Sequence, residues 1–459
     1  MKNLTKIFWS VLLLSILNFA CKKQFLDEKP SSTILTPGTL AELQSLLEST
    51  SRINITGALG QICADEYQII SDQNYNSLAS VIQRNGYIWS ADLYQGEKVD
   101  DWNQPFQSIF YANSVLDVLK SKTFTDQKEA NRLEGWARFI RAYAYYDLAK
   151  GFCKAYNAQT ATKDKGLPIR LEAGIDVIQQ RASLAATFGQ ILSDLSIASR
   201  FLDPLVPPLN KNRPSKAAVM ALESRIYLYM GNFEKAEIYA DSTLIFHDKL
   251  VDFNTVSTTL DIPFNSNMEE VIYQSNQLIN FTSTTATGPR PDIEVNPDLY
   301  ASFSADDLRK SIFFRTNTLG KINLKRGYIG VGVYPFTGLS VSEVYLNKAE
   351  CLARRNLTTD AMDRLNGLLI KRFKNTVTFK PLTAKSSAEA LSLVLNERRK
   401  ELIWRGIRWP DLKRLNLLGA NITLTRKINN IAYILQPNGP AYVFPIPEQE
   451  IQLSGIEQN

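Results

Sequence analysis

A single histidine, His247, stands among 459 residues. Histidine is the usual general base and the commonest protein zinc ligand, so a Ser-His-Asp arrangement would have to use this one. It follows an apolar helical run, STLIFHDK, with no nucleophile elbow near it, and reads as a helix-end surface residue. The 46 Asp and Glu residues leave paired-carboxylate chemistry open by number, yet no short signature picks out a pair. Cys63, Cys153 and Cys351 are scattered, lack C-x-x-C metal spacing and permit one disulfide at most. Buried free thiols are the simpler reading. No catalytic or metal residue is assigned, and an enzyme is the least favoured class.

Binding chemistry is better represented. Sugars are held by flat aromatic faces over C–H surfaces, with amides and carboxylates meeting the hydroxyls, whereas peptides need grooves with backbone partners. The stretch DQNYNSLASVIQRNGYIWSADLYQGEKVDDW, residues 72–102, is rich in Tyr, Trp, Asn, Gln and Asp. Tyr75, Asn76, Tyr87, Trp89 and Tyr94 are its expected exposed ligand residues, with Trp89 and Tyr94 foremost; Trp102 is expected to pack against the following helix. A second candidate is the insert 276–337, whose aromatics Tyr300, Tyr328 and Tyr334 lie beside Arg290, Asp292 and Arg309.

The elements that must position these residues begin with the N-terminus. Lys2 and Lys6, the apolar IFWSVLLLSIL and Ala20 have the three parts of a secretory signal over residues 1–20. The run is shorter than the roughly 20 residues a membrane span needs. Cys21 follows the small residue directly, as at the end of a bacterial lipoprotein leader, although Leu17 is four residues before it and Asn18 stands where Leu is usual. Two or more acyl chains on Cys21 make a stable anchor, and residues 21–35 then form a flexible polar tether.

At 44% hydrophobic and 21% charged residues the chain is globular, and its net charge of +6 is dispersed, with no nucleic-acid footprint. Helical periodicity is clearest in SKAAVMALESRIYLYMGNFEKAEIYADSTLIF, residues 215–246. Ala217, Met220, Ala221, Ser224, Tyr227 and Leu228 share one face, Ser215 can cap it, and Gly231-Asn232 breaks the run. Phe233, Ala236, Ala240 and Leu244 begin a second face. Helix, tight turn, helix, with small residues at the crossing, is the tetratricopeptide plan. It recurs over residues 340–373, where Ala349, Leu352 and Ala361 take the corresponding places. Residues 132–152 form a third amphipathic helix, with Trp136, Phe139, Ile140, Tyr143 and Leu148 as its stripe, and 183–202 its partner.

Several motifs in order carry a resemblance. CKKQFLDEKP, the Trp102, Phe106, Ile109 and Asn113 helix, RFIRAYAYYDLAKGF and KGLPIR come first. SEVYLNKAECLARRN, LNERRKELIWRGIRWPDLKRLN, VFPIPEQEI and the closing GIEQN follow. Together they make the chain similar to the SusD/RagB family of outer-membrane lipoproteins, essentially from end to end after the leader. Pro410 and Leu415-Asn416 depart from the family pattern. Glu397, Arg398, Glu401, Arg408, Asp411 and Arg414 have spacings that suit helix-face ion pairs, and are read as structural.

The resemblance implies a mainly α, SusD-like fold in which tetratricopeptide-like hairpins form a scaffold, while long loops and small β elements carry the ligand site. Residues 36–214 would form an N-terminal region and 215–459 a C-terminal one. The implied function is capture of a glycan for a SusC-like TonB-dependent transporter, the protein being anchored by Cys21 in the outer membrane and facing the exterior. Peptide capture for the same kind of transporter, or a protein-interaction scaffold, are the alternatives. No cofactor is implied, and a bound calcium is left open.

Overall fold

Small residues at the expected crossings let pairs of helices close on each other. The computed structural model describes residues 37–174, 177–279, 281, 290, 292–325, 328, 330 and 335–459. Leu40–Asn459 form one compact unit. Among the described residues nine helices have ten or more residues: α1 (Asp100–Ser121), α2 (Gln127–Phe152), α3 (Leu184–Phe201), α4 (Lys216–Tyr229), α5 (Phe233–Phe246), α6 (Val341–Arg354), α7 (Thr358–Leu369), α8 (Ser387–Glu401) and α9 (Arg408–Leu417). Helices α4 and α5 make the first hairpin, and α6 and α7 the second. Ser215 caps α4 by accepting the Ala218 N–H, and Asn232 caps α5 by accepting that of Lys235. Between the two helices Gly231 turns the chain at φ 74°, a left-handed conformation that costs glycine little. At the crossing the Ser224 hydroxyl donates to the Ala236 carbonyl at 3.0 Å and accepts from Asn347 of α6 at 3.2 Å. Ala349 and Ala361 are fully buried at the second crossing.

Helix α2 corrects the expectation of one apolar stripe. All five predicted stripe residues are buried, but so are Arg141, Tyr145, Tyr146 and Asp147, because α1 and α3 flank the helix and the C-terminal segment covers it. The buried Arg141 is satisfied by both carboxylate oxygens of Asp194, at 2.7 and 2.8 Å, and by Asn113 of α1 at 2.8 Å. Asn113 in turn donates to the carbonyls of Arg170 and Glu172. The motif residues Asn113 and Arg141 and the turn at 165–170 are thus one hydrogen-bonded knot. Trp102 is buried as expected, against Phe106 and Phe152.

Twelve strands of two to five residues pair two by two, and no barrel forms among the described residues. β1 (Ile55–Thr56) lies parallel to β6 (Asn276–Gln277), and β2 (Tyr67–Ile69) antiparallel to β7 (Ile293–Val295). β3 (Lys165–Pro168) pairs with β4 (Arg181–Ser183), and β5 (Val271–Tyr273) with β10 (Leu339–Ser340). β8 (Phe314–Thr316) with β9 (Ile322–Leu324), and β11 (Leu424–Ile428) with β12 (Ile431–Leu435), are antiparallel ribbons. Strand pairs therefore cross the 214/215 line and tie the early chain to the late.

The charged motif of α8 and α9 is buried and mostly joins different elements, which corrects the helix-face reading. Arg309 bonds Asp307, Glu397 and Glu401, and Arg372 bonds Glu270 and Glu401, all within 3.2 Å. Arg414 holds Glu350 of α6 by two bonds, of 2.6 and 2.8 Å. Arg408 reaches back to Asp65. Only Arg414–Asp411 and Lys400–Glu397 are pairs within a helix turn among these. Burial alone would push Asp411 up; the guanidinium groups of Arg398 and Arg414 overcome it and hold the carboxyl at about 2. Each of these buried charges thus has a partner of opposite sign, which offsets the cost of its burial.

Glu66 behaves oppositely. Burial pushes it up to about 7, although N–H groups of Gln61 and Trp404 donate to its carboxylate. With its folded value above the unfolded value of about 4.3, this group's contribution is fully present below about pH 4 and is lost as pH rises through 7. In Glu66→Gln that loss disappears because an amide does not titrate, and Gln61, whose Oε1 has no partner among the described residues, can accept from the new amide after a flip. Urea midpoints are expected to show the variant gaining on the parent by on the order of 3 kcal/mol between pH 4.5 and pH 8. Equal pH slopes would reject the assignment.

Candidate functional site

Two short helices shape the first aromatic segment. Asp72–Asn76 is capped by Ser71 and Val81–Tyr87 by Ser80, each cap hydroxyl accepting the N–H three residues on. The tyrosines on them are not exposed, which corrects the sequence expectation: Tyr75, Tyr87 and Tyr94 retain 8%, 3% and 4% of their surface. Tyr75 donates to the Arg84 carbonyl, Tyr87 accepts from the Ile69 N–H, and Tyr94 donates to the Pro445 carbonyl at 2.8 Å. A buried tyrosine needs such a partner for its hydroxyl, and these rings brace the loops. Asn76 is exposed and pairs with Asn429 in the turn of the β11–β12 ribbon.

Trp89 differs. Its backbone lies at φ 56°, left-handed and costly for a bulky residue. Two contacts hold it there: the indole Nε1–H donates to the Cys63 carbonyl at 3.0 Å, and the Arg426 guanidinium sits 4.6 Å from the ring centre. Arg426 itself donates to the carbonyls of Ile62, Ala64 and Tyr87, so β11 clamps the loop. Half-buried, Trp89 lines a cleft of about 600 Å³. Leu93, Val443, Phe444 and Pro445 make its apolar wall, and Lys154, Lys163, Asp164 and Lys165 its polar one. Lys154 is paired with Asp164 at 2.9 Å and Lys165 with Glu457 at 2.9 Å.

The closing Gln-Asn stitches this wall together. The Gln458 amide exchanges two hydrogen bonds with the backbone of Ile446, at 2.7 and 2.9 Å. Asn459 donates to the Phe444 carbonyl and accepts from Arg181 of β4. Sequence reasoning missed the 440–459 wall, because its residues are ordinary apolar types remote from Trp89 in the chain.

The second candidate region divides. Tyr328 is buried, with its hydroxyl on Glu270 and the Arg405 guanidinium 3.5 Å from its ring centre, so it supports the ionic cluster. Arg309 is fully buried in the same cluster. Tyr75, Tyr87 and Tyr328 thus belong to one hydrophobic core, with Tyr300 packed at its edge. Half-buried Tyr300 also lines an open cleft of about 550 Å³, where Phe314 meets it edge-on at 5.4 Å. Cys21, the leader and tether, and Tyr334 lie outside the described residues.

His247 ends α5 as expected, with Nε2 2.6 Å from the Glu269 carbonyl oxygen, and burial lowers its pKa. Cys63, Cys153 and Cys351 are free and buried. Among the described residues no group of three or more His, Cys, Asp or Glu is arranged to hold a metal ion, and no helix is long and apolar enough to cross a membrane.

Comparison with known proteins extends this geometry. Residues 24–228 match a SusD-like family model described as starch-binding and associating with the outer membrane, and residues 334–459 match that of the SusD family. The SusD-like protein P2 of Formosa agariphila is 23% identical over 411 residues, which cover 76% of this chain and 77% of that protein. A SusD superfamily protein of Bacteroides thetaiotaomicron superposes with a TM-score of 0.71 at 21% identity, over 92% of this chain and 99% of that one. A SusD-like carbohydrate-binding protein of Bacteroides vulgatus gives 0.68 at 19% identity, over 91% and 97% of the two chains. Surface glycan-binding protein A of Bacteroides fluxus gives 0.68 at 17%, over 92% and 99%. Matched by family models over both its N-terminal and its C-terminal parts, and folded like these proteins, the chain belongs to the SusD family.

Proposed function

We propose that this protein captures a glycan in the Trp89 cleft and delivers it to a SusC-like TonB-dependent transporter, held at the outer membrane by lipid on Cys21. The observation that carries the reading is Trp89 itself: an aromatic ring kept in a strained backbone conformation on the wall of a cleft large enough for sugar units. Its indole supplies the platform, the apolar wall meets C–H surfaces, and the lysine and carboxylate side opposite suits hydroxyls. The matched family's description as starch-binding and outer-membrane-associating, and the carbohydrate-binding names of similar folds, support it. The reading needs binding and release and no bond-breaking step.

Calorimetric titration of residues 22–459 with panels of neutral oligosaccharides and of peptides tests it. A saturable oligosaccharide response is expected, weakened about 30-fold in Trp89→Ala, the ~2 kcal/mol typical of an aromatic anchor. A response to peptides alone would move the reading to peptide capture, and an undiminished response in the variant would remove the cleft from it.

A further inference from the structure

We propose that the cleft beside Tyr300 is a second binding site, which takes the anionic substituent of an acidic carbohydrate, a carboxylate or a sulfate ester. The inference rests on the carbohydrate-binding reading and adds a charge preference at a different place. Four cations, Lys310, Arg315, Lys325 and Lys374, line this cleft against one carboxylate, that of Asp307. Asp307 is already committed, with both oxygens on Arg309 at 2.7 and 2.9 Å.

The cations are short of acceptors. Arg315 donates to Asp261 at 2.6 Å, but its buried Nε–H has no acceptor among the described residues. Lys325 keeps 7% of its surface and among the described residues makes one bond, to the Thr258 carbonyl at 2.6 Å, whereas an ammonium has three N–H groups. Burial lowers the pKa of Lys325, with Arg315 adding to the effect and Asp261 opposing it. Lys310 and Lys374 rest on the carbonyls of Phe303 and Ala305, and the pairing of Lys374 with Asp306 is long, 3.7 Å. Unmatched donors of this kind favour a carboxylate or sulfate oxygen.

Tyr300 argues for a sugar carrying that group. The Lys310 ammonium lies over its ring, 5.0 Å from the centre, so one wall joins an aromatic ring to a cation. At about 550 Å³ the space also exceeds a bare anion and fits more than one sugar unit.

The test titrates residues 22–459 with a neutral cello-oligosaccharide, an oligogalacturonide and a carrageenan oligosaccharide, and with hexaglutamate and inorganic sulfate as controls. At least one acidic sugar is expected to bind about tenfold more tightly than the neutral one, and to lose about tenfold between roughly 50 and 500 mM NaCl. Which of the two binds distinguishes carboxylate from sulfate. Lys310→Glu with Lys374→Glu should abolish the preference. Thr316→Glu, which adds charge to the same wall and removes no backbone bond, should weaken binding about tenfold even if the double variant folds poorly. Trp89→Ala should leave the preference intact. Equal affinity for neutral and acidic sugars overturns the proposal, as does acidic binding that survives Thr316→Glu or disappears in Trp89→Ala. Tighter binding of hexaglutamate, or of sulfate alone, overturns it too. Absence of neutral binding in the parent protein, with acidic binding present, would reject only the Trp89 reading.

Discussion

Arg372→Met is expected to lower the free energy of unfolding by about 3–5 kcal/mol, the range for removing one partner of a buried ion pair. Arg372 is fully buried, as are Glu270 and Glu401, the carboxylates it bridges. It also donates to the Val251 carbonyl and lies 4.0 Å from the Phe253 ring centre. Burial raises Glu401; Arg372 first and then Arg309 bring it below its ordinary value. Without Arg372, Glu401 keeps Arg309, but Glu270 retains, among the described residues, the Val251 N–H and the Tyr328 hydroxyl and no cation. Methionine matches much of the volume, so the loss reports charge more than packing. Glu401 of the variant would bind its proton more tightly when folded, and the deficit should therefore shrink as pH falls from 7.5 toward 4.5. Guanidinium midpoints at both pH values check this. A loss under 1 kcal/mol would mean that the cluster is neutralised another way.

Gly338→Ala should cost about 3 kcal/mol, at the upper end for inserted bulk in a packed site. A Cβ at this position would stand 2.0 Å from the Tyr273 carbonyl oxygen and 2.6 Å from Phe336 Cε2. The obstacle on the first side is backbone, and neither strand can yield easily. Tyr273 pairs with Leu339 across β5 and β10, and Ser340 immediately caps α6 by accepting the Glu343 N–H. The Gly338 carbonyl further accepts from Arg225, which bridges α4 to Glu343. Displacing this strap would loosen both hairpins together, so thermal unfolding should move earlier without a separate transition. An unchanged midpoint would show that the strap can shift.

What the chain announces in advance depends on how local the determinant is. The helical hairpins were legible because Ser215, Gly231-Asn232 and the small residues Ser224 and Ala236 act over a few positions. The charged motif of 397–414 announced ion pairs but not their partners, since Asp65, Glu350 and Arg309 come from elsewhere in the chain. Tyrosines in polar company read as exposed, yet Tyr94 is buried by a carbonyl 351 positions away. Trp89 was legible as a candidate ligand residue only by type; the wall facing it is built from 440–459. The basic lining of the Tyr300 cleft lay in plain view in DLRKSIFFRTNTLGKINLK, but its convergence on one space required the β8–β9 ribbon.

The stitch formed by Gln458 and Asn459 bears on the order in which the protein becomes itself. A ribosome releases residues from first to last, and Lys165 of β3 and Arg181 of β4 emerge 293 and 278 residues before the partners that fasten them, the Gln458 carbonyl and the Asn459 side chain. Until then the nascent polypeptide has no closed Trp89 wall. Closure of the wall is thereby deferred until residues 458 and 459 have been made, and a product truncated before them would lack these fastenings.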